Sequence, residues 1–329
     1  MSLRVHSRPA AGCRDGHVAI DAPRRRSDST GSRRQGVFVA SKQASGSSPR
    51  STGGKGGSGK SKSRKPRRTA ATSDRHELYE LSVQAPENEV RFIDKVWRKV
   101  RGRKAESFRE DFAGTMYLAS TWVRHRKENT AIAVDLDDEV QSWGMRRHID
   151  PLPEDARRRV DVRLEDVRTV KCPRVDCIGA FNFSYYLFKT RPELIAYFKA
   201  ARRGLKADGI FLLDAYGGSE SFEEGEEDRP LKGFTYVWDT DRYNPITGDV
   251  VTRIHFRFPD GSEIDSAFVY EWRLWTLPEI QECLREAGFG TVEVWWEGTT
   301  KDGEGDGKFK PTREGDACQG WIAYLVARD

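Results

Sequence analysis

From residue 86 the apolar positions fall into a helical rhythm. In PENEVRFIDKVWRKVRG, Val90, Ile93, Trp97 and Val100 recur at three- and four-residue intervals, and the pattern stops at Gly102. AESFREDFAGT then reads as a short strand running into a small-residue turn. TMYLASTWVRHR follows as a helix with Leu118, Ala119, Trp122 and Val123 on one side. The unit repeats: TAIAVDLD predicts a buried strand ending in acids, DEVQSWGMRRH a helix, RRVDVRLEDV a third strand, and VDCIGAFNFSYYLF a fourth that runs into aromatic residues. RPELIAYFKAARRGLKADG predicts a helix with Pro192 near its start and Gly204 near its end, and GIFLLDAYGG a fifth strand. Alternating strands and helices imply a parallel sheet covered on both faces.

The rhythm then changes to period two. FTYVWDTDRY, VVTRIHFRF and IDSAFVYEWRLW alternate apolar and polar positions and are joined by NPITGD and PDGS, whose residues suit hairpin turns. This predicts an antiparallel β cap, about residues 230–275, inserted after strand 5. The acidic run ESFEEGEED just before it reads as a mobile, solvated lid. Thr276 and Glu279 form a capping box for the helix TLPEIQECLREAG. TVEVWWEG and GWIAYLVA follow with no helical pattern between them, so these closing strands should pair antiparallel. The expected fold is a doubly wound, Rossmann-like α/β sheet of seven strands, mostly parallel with an antiparallel last strand.

Charge divides the 329 residues sharply. Residues 1–73 carry 17 Lys/Arg against 3 Asp/Glu, whereas the rest of the chain carries 39 against 48, so the overall +5 hides a basic tail on an acidic body. The expected division is a disordered, basic, low-complexity tail at 1–75 and one domain at 76–329. The tail reads as a solubilising arm, as an arm for nucleic acid or an anionic surface, or as an Arg/Ser-rich transit peptide. Nucleic acid would contact the chain only through it, because an acidic body repels phosphate. Within the tail, GKGGSGKS at 54–61 satisfies a phosphate-loop pattern, but its Gly, Ser, Pro and cationic surroundings supply neither the strand nor the helix such a loop needs. The five cysteines form no C-x-x-C pair and have no His at metal-ligand spacing, which argues against a disulfide framework and a zinc site, and for a cytoplasmic chain unless the tail is an organellar address. No window has the apolar length to span a bilayer.

Ligands of a doubly wound sheet bind beyond the carboxyl ends of its strands. The first such end, EDFAGT, offers Glu110 beside Phe112, Ala113, Gly114 and Thr115. The second offers Asp135 and Asp137, placed to accept hydrogen bonds from ribose hydroxyls or, more plainly, to cap the next helix. A loop with one glycine and an adjacent acid poorly serves a pyrophosphate and better suits a cationic cofactor without phosphate. In this respect the chain resembles the class I S-adenosylmethionine-dependent methyltransferases over roughly residues 78–329. REDFAGT looks like the family's first motif with a single glycine, AVDLD resembles its second-strand acidic motif and EDV its third. The closing strands VEVWWE and WIAYLVA are similar to its antiparallel seventh strand.

The resemblance implies S-adenosyl-L-methionine as cofactor. It places Glu110 and Gly114 against the methionine part, Asp135 on ribose, Asp166 on the adenine amine, and Asn182, Phe183 and the residues up to Tyr185 between cofactor and acceptor. Asp166 also reads as an ordinary loop acid, and Phe181, Phe183, Tyr185 and Tyr186 as core. Tyr185, Tyr186 and His255 are the candidate catalytic residues, with Tyr216, Tyr270 and Trp272 as further acceptor-side candidates. His255, mid-strand in the cap, also fits a hydrogen-bonded structural role. The function this implies is methyl transfer to a small-molecule acceptor; an NAD(P)-dependent oxidoreductase and a non-enzymatic nucleic-acid or partner-binding protein are the alternatives.

Overall fold

The computed structural model describes residues 68–300 and 305–329. The GKGGSGKS stretch and the rest of the tail up to residue 67 lie outside the described residues.

Five strands build the parallel part of the main sheet: β1 (Ser107–Asp111), β2 (Thr130–Asp135), β3 (Val160–Leu164), β4 (Val175–Ala180) and β5 (Leu205–Gly217). Four more, β6 (Gly225–Leu231), β7 (Phe234–Tyr243), β8 (Asp249–Arg257) and β9 (Glu263–Arg273), form a separate antiparallel sheet, the cap. β10 (Thr291–Thr299), β11 (Gly305–Thr312) and β12 (Trp321–Arg328) close the main sheet, whose order is β11-β10-β12-β5-β4-β1-β2-β3. β12 runs antiparallel between β5 and β10.

The helices are α1 (Arg75–Val83), α2 (Pro86–Arg101), α3 (Tyr117–His125), α4 (Asp138–Gly144), α5 (Glu154–Arg157), α6 (Arg191–Gly204) and α7 (Leu277–Glu286). Alternation along the buried strands sends side chains to two cores. Phe108, Ala131, Ala133, Cys177, Ile210 and Leu212 face α2 and α3, and Ile132, Val134, Ile178, Phe211 and Leu213 face α6 and α7. The sequence signals for helix ends hold: Gly102 takes the left-handed conformation after α2, with φ 68°, and the Thr276–Glu279 capping box opens α7. Among the described residues no helix is long and apolar enough to cross a membrane.

The structure departs from the sequence reading in four places. Folded structure starts earlier than expected, with a turn at Ala70–Thr72 and then α1, whose Leu78 is fully buried against Phe234, Tyr236 and Phe256 of the cap. The acidic run is largely exposed but takes regular structure in place of the expected lid. Ser219–Phe222 forms a 3-10 turn, and β6 pairs with β7 from Gly225 to Leu231. An edge strand tolerates outward charges, and Arg257 on β8 pairs with Glu226 at 2.7 Å and Asp228 at 3.2 Å. The aromatic continuation of the fourth strand is a 3-10 turn, Ser184–Leu187, because the chain reverses at Asn182 and Phe183. The seven expected strands gain an eighth, β11, an edge strand with little apolar pattern of its own.

Candidate functional site

The carboxyl ends of β1, β2, β4 and β5 converge on two strained loops. After β1, Phe112, Gly114 and Met116 all have left-handed backbone, with φ of 59°, 52° and 59°. Phe112 and Met116 occupy positions where a glycine would cost nothing, and each carries about 1–2 kcal/mol of strain. Packing holds them there: Met116 is fully buried, and Phe112 lies against Phe188 and Tyr197. After β4, Asn182 and Phe183 are left-handed too, with φ of 57° and 59°. Strain of this kind collects where a backbone must be held in one shape for a ligand.

Buried carboxylates fix both loops. Asp135, at the end of β2, accepts from the Gly114 N–H at 2.7 Å and from the Asp137 N–H at 3.0 Å. Asp137 accepts from the Glu139 and Val140 N–H groups, the first turn of α4. Glu110 accepts from the Ala119 N–H at 2.9 Å and so serves α3, whose own cap residue, Met116, has no side-chain acceptor. Burial pushes the Glu110 carboxyl well above its ordinary value and raises Asp135 as well. On the second loop, Asp214 of β5 accepts from the Asn182 and Phe183 N–H groups, each at 2.9 Å.

Two cavities open at these loops. The first, a cleft with about 1200 Å³ of empty space including its mouth, is lined by Glu110, Phe112, Ala113, Gly114, Thr115, Asp135 and Asp137, by Glu89, Phe181 and Asn182, and by Arg75, His76 and Tyr79 of α1. A Cβ on Gly114 would meet nothing within 4 Å, and the buried hydroxyl of Thr115 has no hydrogen-bond partner among the described residues. The cleft therefore has an open cradle, an unsatisfied hydroxyl and an acidic wall, a set of donors and acceptors that fits a cationic ligand free of phosphate.

The second cavity, with about 680 Å³ of empty space, lies under the cap. Phe183, Tyr216, Trp238, Tyr270 and Trp272 surround it together with Arg229, and Tyr79, Asn182, Tyr270 and Trp272 line both cavities.

Other residues singled out in the sequence lie elsewhere. Asp166 is outside the lining of the cleft, its carboxylate engaged by the Arg168 side chain at 2.6–3.1 Å. Phe183 lines the second cavity and not the first. Tyr185 and Tyr186 are fully buried and line neither cavity; their hydroxyls donate to the backbone carbonyls of Asp214 and of Tyr216 and Trp275. His255 alternates with Ile254, which lines the second cavity, and so faces the other side of the cap. There it meets Asp265 at 2.7 Å and Asp239 at 3.5 Å, with Glu263 close by. Conversely, Asp214, Tyr79, His76 and Glu89 escaped the sequence reading. An acid interrupting the apolar run IFLLDAY marked Asp214.

Solved structures share this fold. An S-adenosylmethionine-dependent methyltransferase from Clostridium acetobutylicum aligns at 17% identity with a TM-score of 0.57, covering 77% of this chain and 97% of its own. An amino pentose methyltransferase from Micromonospora echinaspora involved in calicheamicin biosynthesis aligns at 16% identity with a TM-score of 0.55, covering 77% and 96%. The fold is that of the class I S-adenosylmethionine-dependent methyltransferases. A sugar N-methyltransferase from Streptoalloteichus sp. adds a match at 16% identity with a TM-score of 0.52, covering 84% of this chain and all of its own. No protein-family model and no curated protein matches the chain. In this fold the acid-lined cleft lies at the carboxyl ends of β1, β2 and β4, and β6 to β9 are the insertion that roofs the second cavity.

Proposed function

We propose that the chain binds S-adenosyl-L-methionine in the acid-lined cleft and transfers its methyl group to a small molecule held under the cap. One observation carries this reading: the cleft and the aromatic cavity meet at Asn182, Tyr270, Trp272 and Tyr79, so two ligands can lie end to end with their reacting atoms at the junction. When bound, the cofactor supplies a methyl group on a positively charged sulfur, a donor already activated for displacement. The protein's share is then positioning and exclusion of water more than acid–base chemistry.

The geometry supports the following roles. Asp135 holds the Gly114 loop in shape and presents its remaining lone pairs to hydroxyl groups. Thr115 offers its free hydroxyl, and Glu110 and Glu89 give the cleft the field a cation needs. Asn182, held by Asp214, sits at the junction, and Tyr79 and Tyr270 close it. Arg75, His76 and Tyr79 of α1 cover the cleft. Two proteins of similar fold are an amino pentose methyltransferase and a sugar N-methyltransferase, which supports a small acceptor.

The test is calorimetric titration of S-adenosylmethionine, S-adenosylhomocysteine, NADH and ATP into the full chain. The two methionine nucleosides should bind and the others should not. Asp135→Ala should weaken that binding about tenfold or more, the scale of one hydrogen-bonded charge. A folded chain that ignores both nucleosides would end the proposal.

A further inference from the structure

The cavity under the cap is walled by rings. Tyr270 stacks on Trp272 with ring centroids 4.4 Å apart, Phe183 lies 4.7 Å from Tyr216, and Trp238 stands edge-on to Tyr216 at 6.3 Å. Val83, Ile254 and Ile322 add aliphatic surface. Several polar side chains of the lining serve the protein itself. The Ser82 hydroxyl donates to the Leu78 carbonyl at 2.7 Å, and a hydrogen bond joins the side chains of Tyr79 and Tyr270. Arg229, on β6, ties the cap to α1: its guanidinium donates to the Ser82 carbonyl and lies 5.0 Å from the Tyr236 ring centroid, and Glu227, two residues back on the same strand, favours its charge. Neither a carboxylate nor an imidazole reaches this lining among the described residues. Burial pushes the hydroxyls of Tyr216, Tyr236 and Tyr270 far above their ordinary value, so these groups bring no negative charge either.

Such a chamber discriminates by charge and by polarity. A cationic ligand would meet Arg229 and no carboxylate. An anionic one would give up its water for a guanidinium that the protein already engages. A sugar would bring hydroxyls around its whole rim to walls made mostly of rings and aliphatic chains, and those hydroxyls would lose hydrogen bonds. An uncharged flat ring sheds little hydration and gains burial and stacking. Resting on the methyl-transfer reading, we infer that the acceptor is an uncharged aromatic compound, its ring held among Trp238, Tyr270 and Trp272 and its hydroxyl or amino group toward Asn182. The orientation follows from which residues the cavities share. Asn182, Tyr270 and Trp272 line both, whereas Tyr236 and Trp238 line the aromatic cavity alone. The apolar end of the ring therefore lies away from the cleft. Its one polar atom lies at the junction, beside the amide of Asn182.

The experiment titrates 2-naphthol, anionic 2-naphthoate, cationic 2-naphthylmethylamine and methyl glucoside into the full chain near neutral pH. Binding is followed by calorimetry, with S-adenosylhomocysteine titrated in parallel. The naphthol should bind about tenfold or more tightly than either charged naphthalene, the scale of a charge buried without a partner, and the glucoside most weakly. Trp238→Ala should weaken naphthol binding about threefold or more and Trp238→Phe much less, both variants keeping the affinity for S-adenosylhomocysteine. The ligand series on the wild-type chain stands even where a variant folds poorly. A charged naphthalene or the glucoside binding as tightly as naphthol, no binding of any of the four, or a naphthol affinity indifferent to Trp238→Ala would overturn the inference. Retained affinity for S-adenosylhomocysteine in those cases would leave methyl transfer standing. A naphthol preference that depends on Trp238, in a chain that ignores S-adenosylhomocysteine, would support the neutral pocket and remove the methyl-transfer reading.

Discussion

Glu110 shows how one residue serves structure and ligand together. It closes the N-terminus of α3 through the Ala119 N–H and also lines the cleft. Burial, foremost, holds its carboxyl well above the ordinary 4.5, with Glu89 and Asp135 adding to the shift and the Ala119 N–H opposing it. A carboxyl that binds its proton more tightly in the folded chain adds stability below its unfolded pKa. That contribution is lost as pH rises toward the folded value. Glu110→Gln should therefore melt close to wild type near pH 4 and at least 2–4 °C above it near pH 8, about 1 kcal/mol or more at this size, in paired thermal melts across pH. A cationic ligand favours the ionised carboxylate, so the ratio of S-adenosylmethionine to S-adenosylhomocysteine affinity should climb with pH in wild type and flatten in Glu110→Gln. Gly144 makes the opposite kind of contribution, by having no side chain. A Cβ there would stand 2.3 Å from the Thr115 carbonyl oxygen, a backbone atom that can yield only by moving the first loop. Gly144→Ala should cost about 1–3 kcal/mol in urea unfolding and weaken cofactor binding with it. Sequence alone exposed Glu110, Gly114 and Asp135, because acids and small residues at the end of an apolar strand stand out. Asp214 showed only as an acid interrupting the apolar run IFLLDAY, and its role was not legible because it depends on a turn formed some thirty residues earlier in the chain.

At the scale of elements, α1 is the part of the site that sequence periodicity concealed. Its nine residues alternate in function more than in hydropathy. Leu78 enters the cap core, Tyr79 lines both cavities, and Glu80 meets His148 at 2.5 Å on the π-helical turn after α4. Arg75 pairs with Glu139, and the Trp143 indole donates to Asp74 at the cap of α1. A helix this short draws its stability from such contacts and not from propensity, which is why RHELYELSV reads weakly until its neighbours are in place. Leu78→Ala should cost about 2–5 kcal/mol. A chain lacking residues 1–84 should lose affinity for the cofactor and for an acceptor analogue together, whereas one lacking residues 1–67 should keep both; calorimetry on the pair separates the helix from the basic tail. β6 teaches the same lesson from the strand side. Its charges suggested solvated chain, yet pairing to β7 and the Arg257 ion pairs make it the strand that carries Arg229 into the pocket.

At the scale of the whole molecule, the question is whether the cap is a separate domain or a part of one core. The sequence announced the cap by its change from helical to alternating period, and that change is local, so it was legible. What holds the cap to the main sheet is not local. Val250, Trp272 and Leu274 of the cap region join Tyr186, Tyr216 and Phe211 in one buried cluster, while Trp238 and Tyr270 pack against both that cluster and the cap's own core. α1 then ties the cap to α4 from the other side. With apolar contacts continuous from α6 and α7 through the junction to β8, partial loss of the cap would expose the tryptophans and tyrosines of both cavities. The chain should therefore unfold in urea as one unit, with tryptophan fluorescence and far-ultraviolet circular dichroism giving coincident midpoints. Saturating S-adenosylhomocysteine should move both midpoints together, by about 2.7 kcal/mol at a hundredfold excess over its dissociation constant. Two separated transitions, with the ligand shifting the later one alone, would mean that the cap and α1 open while the cofactor cleft stays intact.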